Sequence, residues 1–219
     1  MVFNMTGKQS TGPLQNRVDP FGVIHADPAR GSFMGNRGII HDANTRTLLK
    51  RRWTTKAWII CVCEFRGRKR TVMSPGTYTE LFFFDEVTAL AAGHRPCFEC
   101  RRQAAKQYAG CFADAHRIAD PKVREIDALL HSQRLASGGE TISIDVDRLG
   151  GLPDGTMISV SGRPMALRNN SVLPWSFAGY ETPIPLSELT SLAVSVITPK
   201  ATVAVLKAGY HPEFGHSVP

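Results

Sequence analysis

The run of apolar side chains around residue 60 predicts a β-strand. Residues 58–65 are almost all apolar or cysteine. Because successive side chains of a strand point to opposite faces, Cys61 and Cys63 are expected on the same face. Residues 66–68 have the composition of a turn, and residues 70–73 are predicted to return as the second strand of a hairpin.

Helical spacing and end signals predict three helices after this hairpin. Asp85 is a good N-cap for the first helix, and Gly93 is expected to end it. The second helix is predicted from about residue 98 to residue 115. The third is predicted from residue 121, where a proline occupies the first helical position, to about residue 135.

The pattern changes after the Gly138-Gly139 step, where short alternating segments are separated by turns. This pattern predicts a small antiparallel β unit, with strands expected near residues 141–146, 156–160, 164–168 and 172–177. A last strand near residues 194–197 precedes a short helix, for which Thr198 is the expected N-cap and Gly209 the end.

These elements predict an α+β protein of 219 residues in three parts. Residues 1–18 are expected to form a disordered leader, residues 19–137 a zinc-binding basic α+β region, and residues 138–219 a β-rich unit ending in a short helix. Residues 19–45 are rich in glycine and asparagine and are expected to form loops with short extended pieces. No secretory signal or spanning apolar run is recognisable, so a cytoplasmic protein without a membrane partner is expected.

Positive charge is concentrated in one segment of the chain. The net charge is +7, and residues 46–106 contain thirteen basic and five acidic residues. A basic surface confined to one region is typical of proteins that bind a polyanion, although a solvated basic face without a partner gives the same pattern. The residues expected to contact nucleic acid, mostly at phosphates, are Arg66, Arg68, Lys69, Arg70, Arg95, Arg101 and Arg102.

The five cysteines indicate a metal site more than a disulfide framework, because their number is odd and their density is low. Two residues separate Cys97 from Cys100, so one tight turn can place both sulfurs on one metal ion. Cys61 and Cys63 are expected to supply the other two ligands of a single structural zinc ion. A hairpin pair and a pair at a helix start would form a treble-clef-like core.

Other interpretations of these residues remain open. The Cys97-x-x-Cys100 pair also fits a redox motif, and Cys61 or Cys63 also fits a buried strand face. If Cys63 is not a ligand, His41 is the first candidate to replace it. His94 adjoins the pair but is expected to be exposed, and Cys111 is expected in the core.

The segment that ends in these cysteines resembles a known family. A helix ending in Ala92-Gly93, then Arg95-Pro96-Cys97 and Cys100, resembles the end of the metal-binding domain of the Ada DNA-repair family. The resemblance covers roughly residues 58–102. It implies a zinc-stapled core with Cys97 and Cys100 as ligands, a DNA partner and a role in DNA repair.

The first cysteine pair differs from the pattern of that family. In the Ada family four cysteines hold zinc, and one of them takes a methyl group from a DNA phosphotriester. The family has its first two cysteines three residues apart in a Cys-Arg-Pro context, whereas this chain has Cys61-Val62-Cys63. The difference argues against transferring the methyl-acceptor activity to this chain.

Three functions are consistent with the sequence. The first is a zinc protein that binds nucleic acid, DNA above all, in repair or regulation. The second is an enzyme acting on nucleic acid or nucleotides, with the loop from Arg30 to Arg37 or the carboxylates of Asp145 and Asp147 as its site. The third is a protein-interaction module in which zinc is only structural, which predicts an exposed apolar patch.

Overall fold

The fold is mixed α+β and is described by a computed structural model over residues 12–68, 71–189 and 193–216. Strands of the N-terminal half form a six-stranded sheet in the order β2-β1-β7-β3-β6-β8 and a separate two-stranded sheet, β4-β5. The bounds of these strands are β1 (Gln15–Val18), β2 (Ile24–Ala26), β3 (Phe33–Asn36), β4 (His41–Asp42), β5 (Thr47–Leu48), β6 (Ile59–Val62), β7 (Leu81–Phe83) and β8 (Arg95–Pro96).

The strand that carries Cys61 lies inside the six-stranded sheet and is not part of a hairpin. β6 pairs antiparallel with β3, with Met34 opposite Cys61, and parallel with β8, with Ile60 opposite Pro96. Of the strand predicted at residues 70–73, residue 70 lies outside the described residues, and residues 71–73 contain a turn and no strand. The hairpin prediction is therefore wrong, because the partners of β6 come from distant parts of the chain.

Strand β1 also changes the prediction for the start of the chain. Of the leader expected over residues 1–18, residues 1–11 lie outside the part that the structure describes. Residues 15–18 form β1, which pairs antiparallel with β2 and parallel with β7. Val18 is fully buried in the core, so this strand is an integral part of the sheet.

Within the described residues, four α-helices accompany the sheets: α1 (Glu86–Ala91), α2 (Arg102–His116), α3 (Val123–Gln133) and α4 (Lys200–Lys207). The Thr88 amide donates to Asp85 Oδ1 at 2.8 Å, which confirms Asp85 as the N-cap of α1. Gly93 follows α1 with a φ of 82°, a left-handed conformation that favours glycine. The predicted start of α2 was too early, because residues 98–101 form the turn that holds Cys100.

The C-terminal half contains a seven-stranded antiparallel sheet. Its strand order is β13-β12-β11-β10-β15-β9, and β14 also pairs with β12. The bounds are β9 (Ile142–Ser143), β10 (Met157–Val160), β11 (Arg163–Arg168), β12 (Ser171–Ser176), β13 (Gly179–Tyr180), β14 (Ile184–Pro185) and β15 (Val194–Val196). Short 3₁₀ turns occupy Leu135–Ser137, Val146–Gly151 and Leu186–Glu188.

The two halves share buried contacts. Helix α4 follows the second sheet but packs on α2 and α3, where Val205 and Tyr210 join the same apolar cluster as Tyr108. Trp175 of β12 donates to Thr88 Oγ1 at 2.9 Å. No helix in the described ranges is long and apolar enough to cross a membrane.

Candidate metal centre

Three cysteine sulfurs meet at one end of the six-stranded sheet. The ligand atoms of Cys61, Cys97 and Cys100 all lie within 4.8 Å of one another, close enough to bind one metal ion. Cys61 belongs to β6, and Cys97 directly follows β8. The parallel pairing of these strands brings the two residues together, because the Cys97 amide donates to the Ile60 carbonyl at 2.9 Å.

A tight turn between β8 and α2 adds Cys100. The Arg101 amide donates to the Cys97 carbonyl at 3.0 Å, and the Glu99 amide donates to Cys97 Sγ at 3.4 Å. The Val62 amide also hydrogen-bonds to the sulfur of Cys100. Amide donors directed at sulfur stabilise thiolates, the form of cysteine that binds metals.

In the metal-free cluster, hydrogen bonds and burial shift the pKa values of the three cysteines in different directions. The Cys61 thiol donates to Cys97 and lowers the pKa of Cys97 to about 5. The same hydrogen bond raises the pKa of Cys61, and burial raises the pKa of Cys100. The hydrogen bond from Cys61 therefore favours the thiolate form of Cys97 in the metal-free cluster.

Cys63 is not part of the cluster, so its prediction as a ligand is corrected. Its side chain is exposed, and its sulfur hydrogen-bonds to the carbonyls of Gly31 at 3.8 Å and Ser32 at 3.5 Å. The reason is that β6 ends at Val62. Cys63 lies one residue beyond that end, and although it lines the same cavity as the cluster, its sulfur is not within 4.8 Å of all three other sulfurs.

The histidines considered in the sequence also lie outside the cluster. His41 begins β4 and is hydrogen-bonded through Nδ1 to Thr79 Oγ1 at 2.7 Å and through Nε2 to the Ser74 carbonyl at 3.3 Å. His94 is fully buried between the rings of Trp58 and Phe83, where an exposed side chain was expected. Neither side chain is a fourth ligand in this arrangement.

The three cysteines of the cluster and Cys63 line a cavity of about 210 Å³. Its apolar wall includes Met34, Ile59 and Phe82, and its polar wall includes Asn36, Glu80 and Arg68. Glu80 is 2% exposed, and the sequence did not identify it as a candidate site residue. The only local signal was an acidic residue immediately before the apolar run of β7.

The basic residues proposed to bind nucleic acid separate into two groups. Arg95 is buried and paired with Asp127, and Arg101 is buried and paired with Glu86 and Glu213. These two arginines face carboxylates and not solvent, which corrects their expected role. Three others are exposed, namely Arg66, Arg68 and Arg102, of which Arg68 pairs with the exposed Glu99 at 2.9 Å. Lys69 and Arg70 lie outside the described residues.

The other candidate sites are not assembled around the cysteines. Asp145 lines a separate cleft beside the second sheet together with Arg148, and Asp147 is exposed in a 3₁₀ turn. Arg37 is fully buried, with its guanidinium 4.1 Å from the ring centroid of Trp58. In the described parts of the chain, the three cysteines form the one group of potential metal ligands that is close enough to share an ion.

Comparison with known proteins does not identify a family for this chain. No protein-family model matches it, and no curated protein or solved structure shows significant similarity to it. The function must therefore be inferred from the site itself.

Proposed function

We propose that the protein binds one zinc ion through Cys61, Cys97 and Cys100, and that it binds nucleic acid, DNA above all, through the exposed basic surface next to this centre. The metal would staple the end of β6 to the turn that begins α2. A role in DNA repair or regulation would follow from such binding.

The chemistry of the donors supports zinc as the ion. Thiolates are soft ligands that select zinc, copper(I) and iron–sulfur clusters, and three of them leave zinc one coordination position short of its usual four. The ligands come from two adjacent strands and one helix start, so binding joins elements that are distant in sequence. A metal bound in this way contributes to folding as well as to any chemistry.

The observation that supports nucleic acid is the group of exposed cations beside the cavity. We call Arg66, Arg68 and Arg102 the rim arginines, although only Arg68 lines the cavity itself and Arg102 lines a neighbouring cleft that also includes Cys100. The guanidiniums of Arg66 and Arg68 lie 5.0 and 5.3 Å from the ring centroid of Phe65, and Phe65 and Arg68 both line the cavity. Guanidiniums bind phosphates, and an aromatic ring such as that of Phe65 is a surface on which a base can stack.

Metal analysis of the purified protein tests the zinc assignment. We expect about one zinc per chain in the native protein and in Cys63→Ser, and a strong loss of zinc in Cys61→Ser, Cys97→Ser and Cys100→Ser. Cys63→Ser is the matched control, because Cys63 lies next to the centre in sequence but outside the cluster. One zinc per chain that survives loss of Cys97 would overturn the assignment.

Titration with single- and double-stranded oligonucleotides tests the second half of the proposal. Affinity should fall steeply as salt rises from ~50 to ~200 mM, because phosphate contacts release counterions. Replacing the three rim arginines by alanine should weaken binding and reduce the salt slope. The control replaces Arg124, Arg148 and Lys207, which are exposed elsewhere and remove the same charge. No binding at ~50 mM salt, or equal losses in both triple variants, would refute the proposal.

A further inference from the structure

The coordination number of zinc leaves one position that the cluster does not fill. Three protein ligands with an open fourth position are typical of catalytic zinc sites, whereas structural sites are closed by four. Cys61, Cys97 and Cys100 all line the cavity of about 210 Å³. A metal held by these sulfurs would therefore have a neighbouring space for a small molecule.

Glu80 provides a second, independent observation in the same cavity. Its Oε2 accepts a hydrogen bond from the Met73 amide at 2.8 Å. Its Oε1 is buried and has no hydrogen-bond partner among the residues that the structure describes. A buried carboxylate oxygen without a donor is costly, and Glu80 lines the cavity, so a hydrogen-bond donor inside the cavity would offset this cost.

Charge and shape limit what can occupy the cavity. Three thiolates outweigh the charge of a divalent zinc ion, and the cavity lining adds the two carboxyl groups of Glu80 and Glu99 against the one guanidinium of Arg68. An anionic group such as a phosphate is therefore disfavoured inside the cavity, whereas a neutral hydrogen-bond donor is favoured. The apolar wall formed by Met34, Ile59 and Phe82 suits a flat ring, and an engineered cavity of ~150 Å³ already binds benzene.

We propose that this cavity is a catalytic site, an inference that rests on the proposed zinc site. The reaction is the hydrolytic deamination of an aromatic heterocycle that carries an amino group, such as a nucleobase. Glu80 is the residue that transfers the proton. Zinc held by three cysteine or histidine ligands supplies an activated water for this reaction in known deaminases, and a glutamate that is not a ligand moves the protons. Glu80 matches that role because it shares the cavity with the three cysteines but is not one of the clustered ligand residues.

The reaction can be written with the residues of this chain. Glu80 accepts a proton from the water at Oε1, while the water oxygen forms a bond to the ring carbon that carries the amino group and the π pair of the ring C=N bond moves to the ring nitrogen. Glu80 then returns the proton to the amino nitrogen, and the bond from the ring carbon to that nitrogen breaks with its electron pair going to nitrogen, while the pair on the ring nitrogen re-forms the C=N bond. The products are ammonia and a hydroxy-substituted ring, which becomes the ring carbonyl compound when the hydroxyl proton moves to the ring nitrogen, and no oxidant or reductant is required. The Met73 amide holds the other carboxylate oxygen throughout.

The base could arrive as a free nucleoside or as part of a single strand. The chemistry recognised in the cavity is the same in both cases, and Arg68, which lines the cavity, would meet the phosphate of a strand but not a free nucleoside. The assay therefore offers cytidine, adenosine and guanosine in one arm, and single-stranded oligonucleotides rich in each amino base in the other. Product in either arm supports the inference and identifies the source.

The decisive variant is Glu80→Gln, because glutamine keeps an oxygen to accept from the Met73 amide but cannot take the proton. We expect release of ammonia by the zinc-loaded wild type and a loss of ~10²-fold or more in Glu80→Gln. Glu64→Gln is the control, since Glu64 is an exposed acid close to the cluster in sequence. Product formation that is equal in wild type and Glu80→Gln would overturn the role of Glu80.

A readout that does not depend on turnover uses cobalt in place of zinc. Cobalt bound to thiolates absorbs visible light, and the absorption changes when the fourth ligand changes. Addition of a pyrimidin-2-one riboside, which takes up water at the reacting carbon but has no amino group to lose, should shift the spectrum of wild type and Glu64→Gln and leave Glu80→Gln unchanged.

The outcomes separate this inference from the function on which it rests. No ammonia from any substrate and no spectral shift, in a protein that holds zinc and binds oligonucleotides, would refute the catalytic site and leave the proposed function standing. Loss of zinc from the native protein would refute both. Normal zinc content and oligonucleotide affinity in Glu80→Gln, with its activity lost, would support the inference and show that the variant is folded.

Discussion

Arg95 and Asp127 form a two-pronged ion pair inside the protein. Arg95 Nε donates to Asp127 Oδ1 at 2.8 Å and Nη2 donates to Oδ2 at 2.9 Å. Both side chains are less than a tenth exposed. The pair connects α3 to β8, one residue before the Pro96-Cys97 step, and so helps to fix the strand that positions the metal cluster.

The first prediction is that Asp127→Ala strongly destabilises the fold. The substitution leaves the charge of Arg95 buried without a partner, which costs about 3–5 kcal/mol in comparable buried pairs. The control is Glu181→Ala, which breaks the exposed pair with Arg163 and should change the free energy of unfolding by less than about 1 kcal/mol. Urea denaturation of the metal-loaded proteins measures both. Equal small losses would show that the Arg95–Asp127 pair contributes little.

This pair also shows why part of the basic surface could not be identified from the sequence. A stretch of arginines beside a cysteine pair predicts a cationic face, and nothing near Arg95 in the chain indicates that Asp127 neutralises it. Arg101 is a clearer case, since one of its two partners, Glu213, is 112 residues away. Contacts of such sequence separation depend on the packing of the whole fold.

The cluster itself was predictable to the extent that it is local. The spacing of Cys97 and Cys100 fixes a single turn, and that turn is present. Cys61 was also identified, although its position depends on the parallel pairing of β6 with β8 and not on the expected hairpin. The prediction failed at Cys63 because it required the strand to continue one residue beyond its actual end.

The second prediction concerns the protons released when zinc binds. At pH 6 the metal-free cluster should hold a thiolate at Cys97, whose pKa is lowered to about 5, and thiols at Cys61 and Cys100, whose pKa values are raised. Binding requires three thiolates, so about two protons should be released and zinc affinity should rise with pH. Calorimetric titration in buffers of different ionisation enthalpy counts the protons.

Cys63→Ser provides the control for that measurement, because it should release the same number of protons as the wild type. A count near three would show that Cys97 is protonated at this pH in the metal-free protein. A count near zero would show that the cluster is already fully ionised. Either result would contradict the hydrogen-bonded arrangement described here.

The third prediction is a loss of stability in mild acid caused by His94. Burial and the nearby charges of Arg37 and Arg134 lower the pKa of His94 well below its usual value near 6.5. Above pH 6.5 the histidine is neutral in both the folded and the unfolded chain. As the pH falls below 6.5, the unfolded chain takes up the proton and the folded chain does not, so the free energy of unfolding should decrease by up to about 1.4 kcal/mol per pH unit.

His94→Phe should remove this slope, because phenylalanine can occupy the space between Trp58 and Phe83 without titrating. His211→Gln, at an exposed position, is the control and should leave the slope unchanged. Denaturation curves between pH 4.5 and 7.5 provide the comparison, and the difference from wild type isolates His94. Direct titration of the His94 ring by NMR is the second measurement, and protonation of that ring near pH 6.5 in the folded protein would contradict the prediction.

The fourth prediction contrasts two glycine-to-alanine substitutions. Gly35 lies in β3 between β6 and β7, and a Cβ atom there would approach the Ile59 carbonyl oxygen to 2.3 Å. Gly35→Ala should therefore push β6 away from β3, lower the free energy of unfolding by several kcal/mol and weaken zinc binding, because β6 carries Cys61. Gly110→Ala, in the exposed face of α2 where the Cβ meets no atom within 4 Å, should instead stabilise the protein by up to about 1 kcal/mol. Thermal unfolding with metal analysis distinguishes the two, and a Gly35→Ala protein with native stability and zinc content would show that the close approach of β3 and β6 is not required.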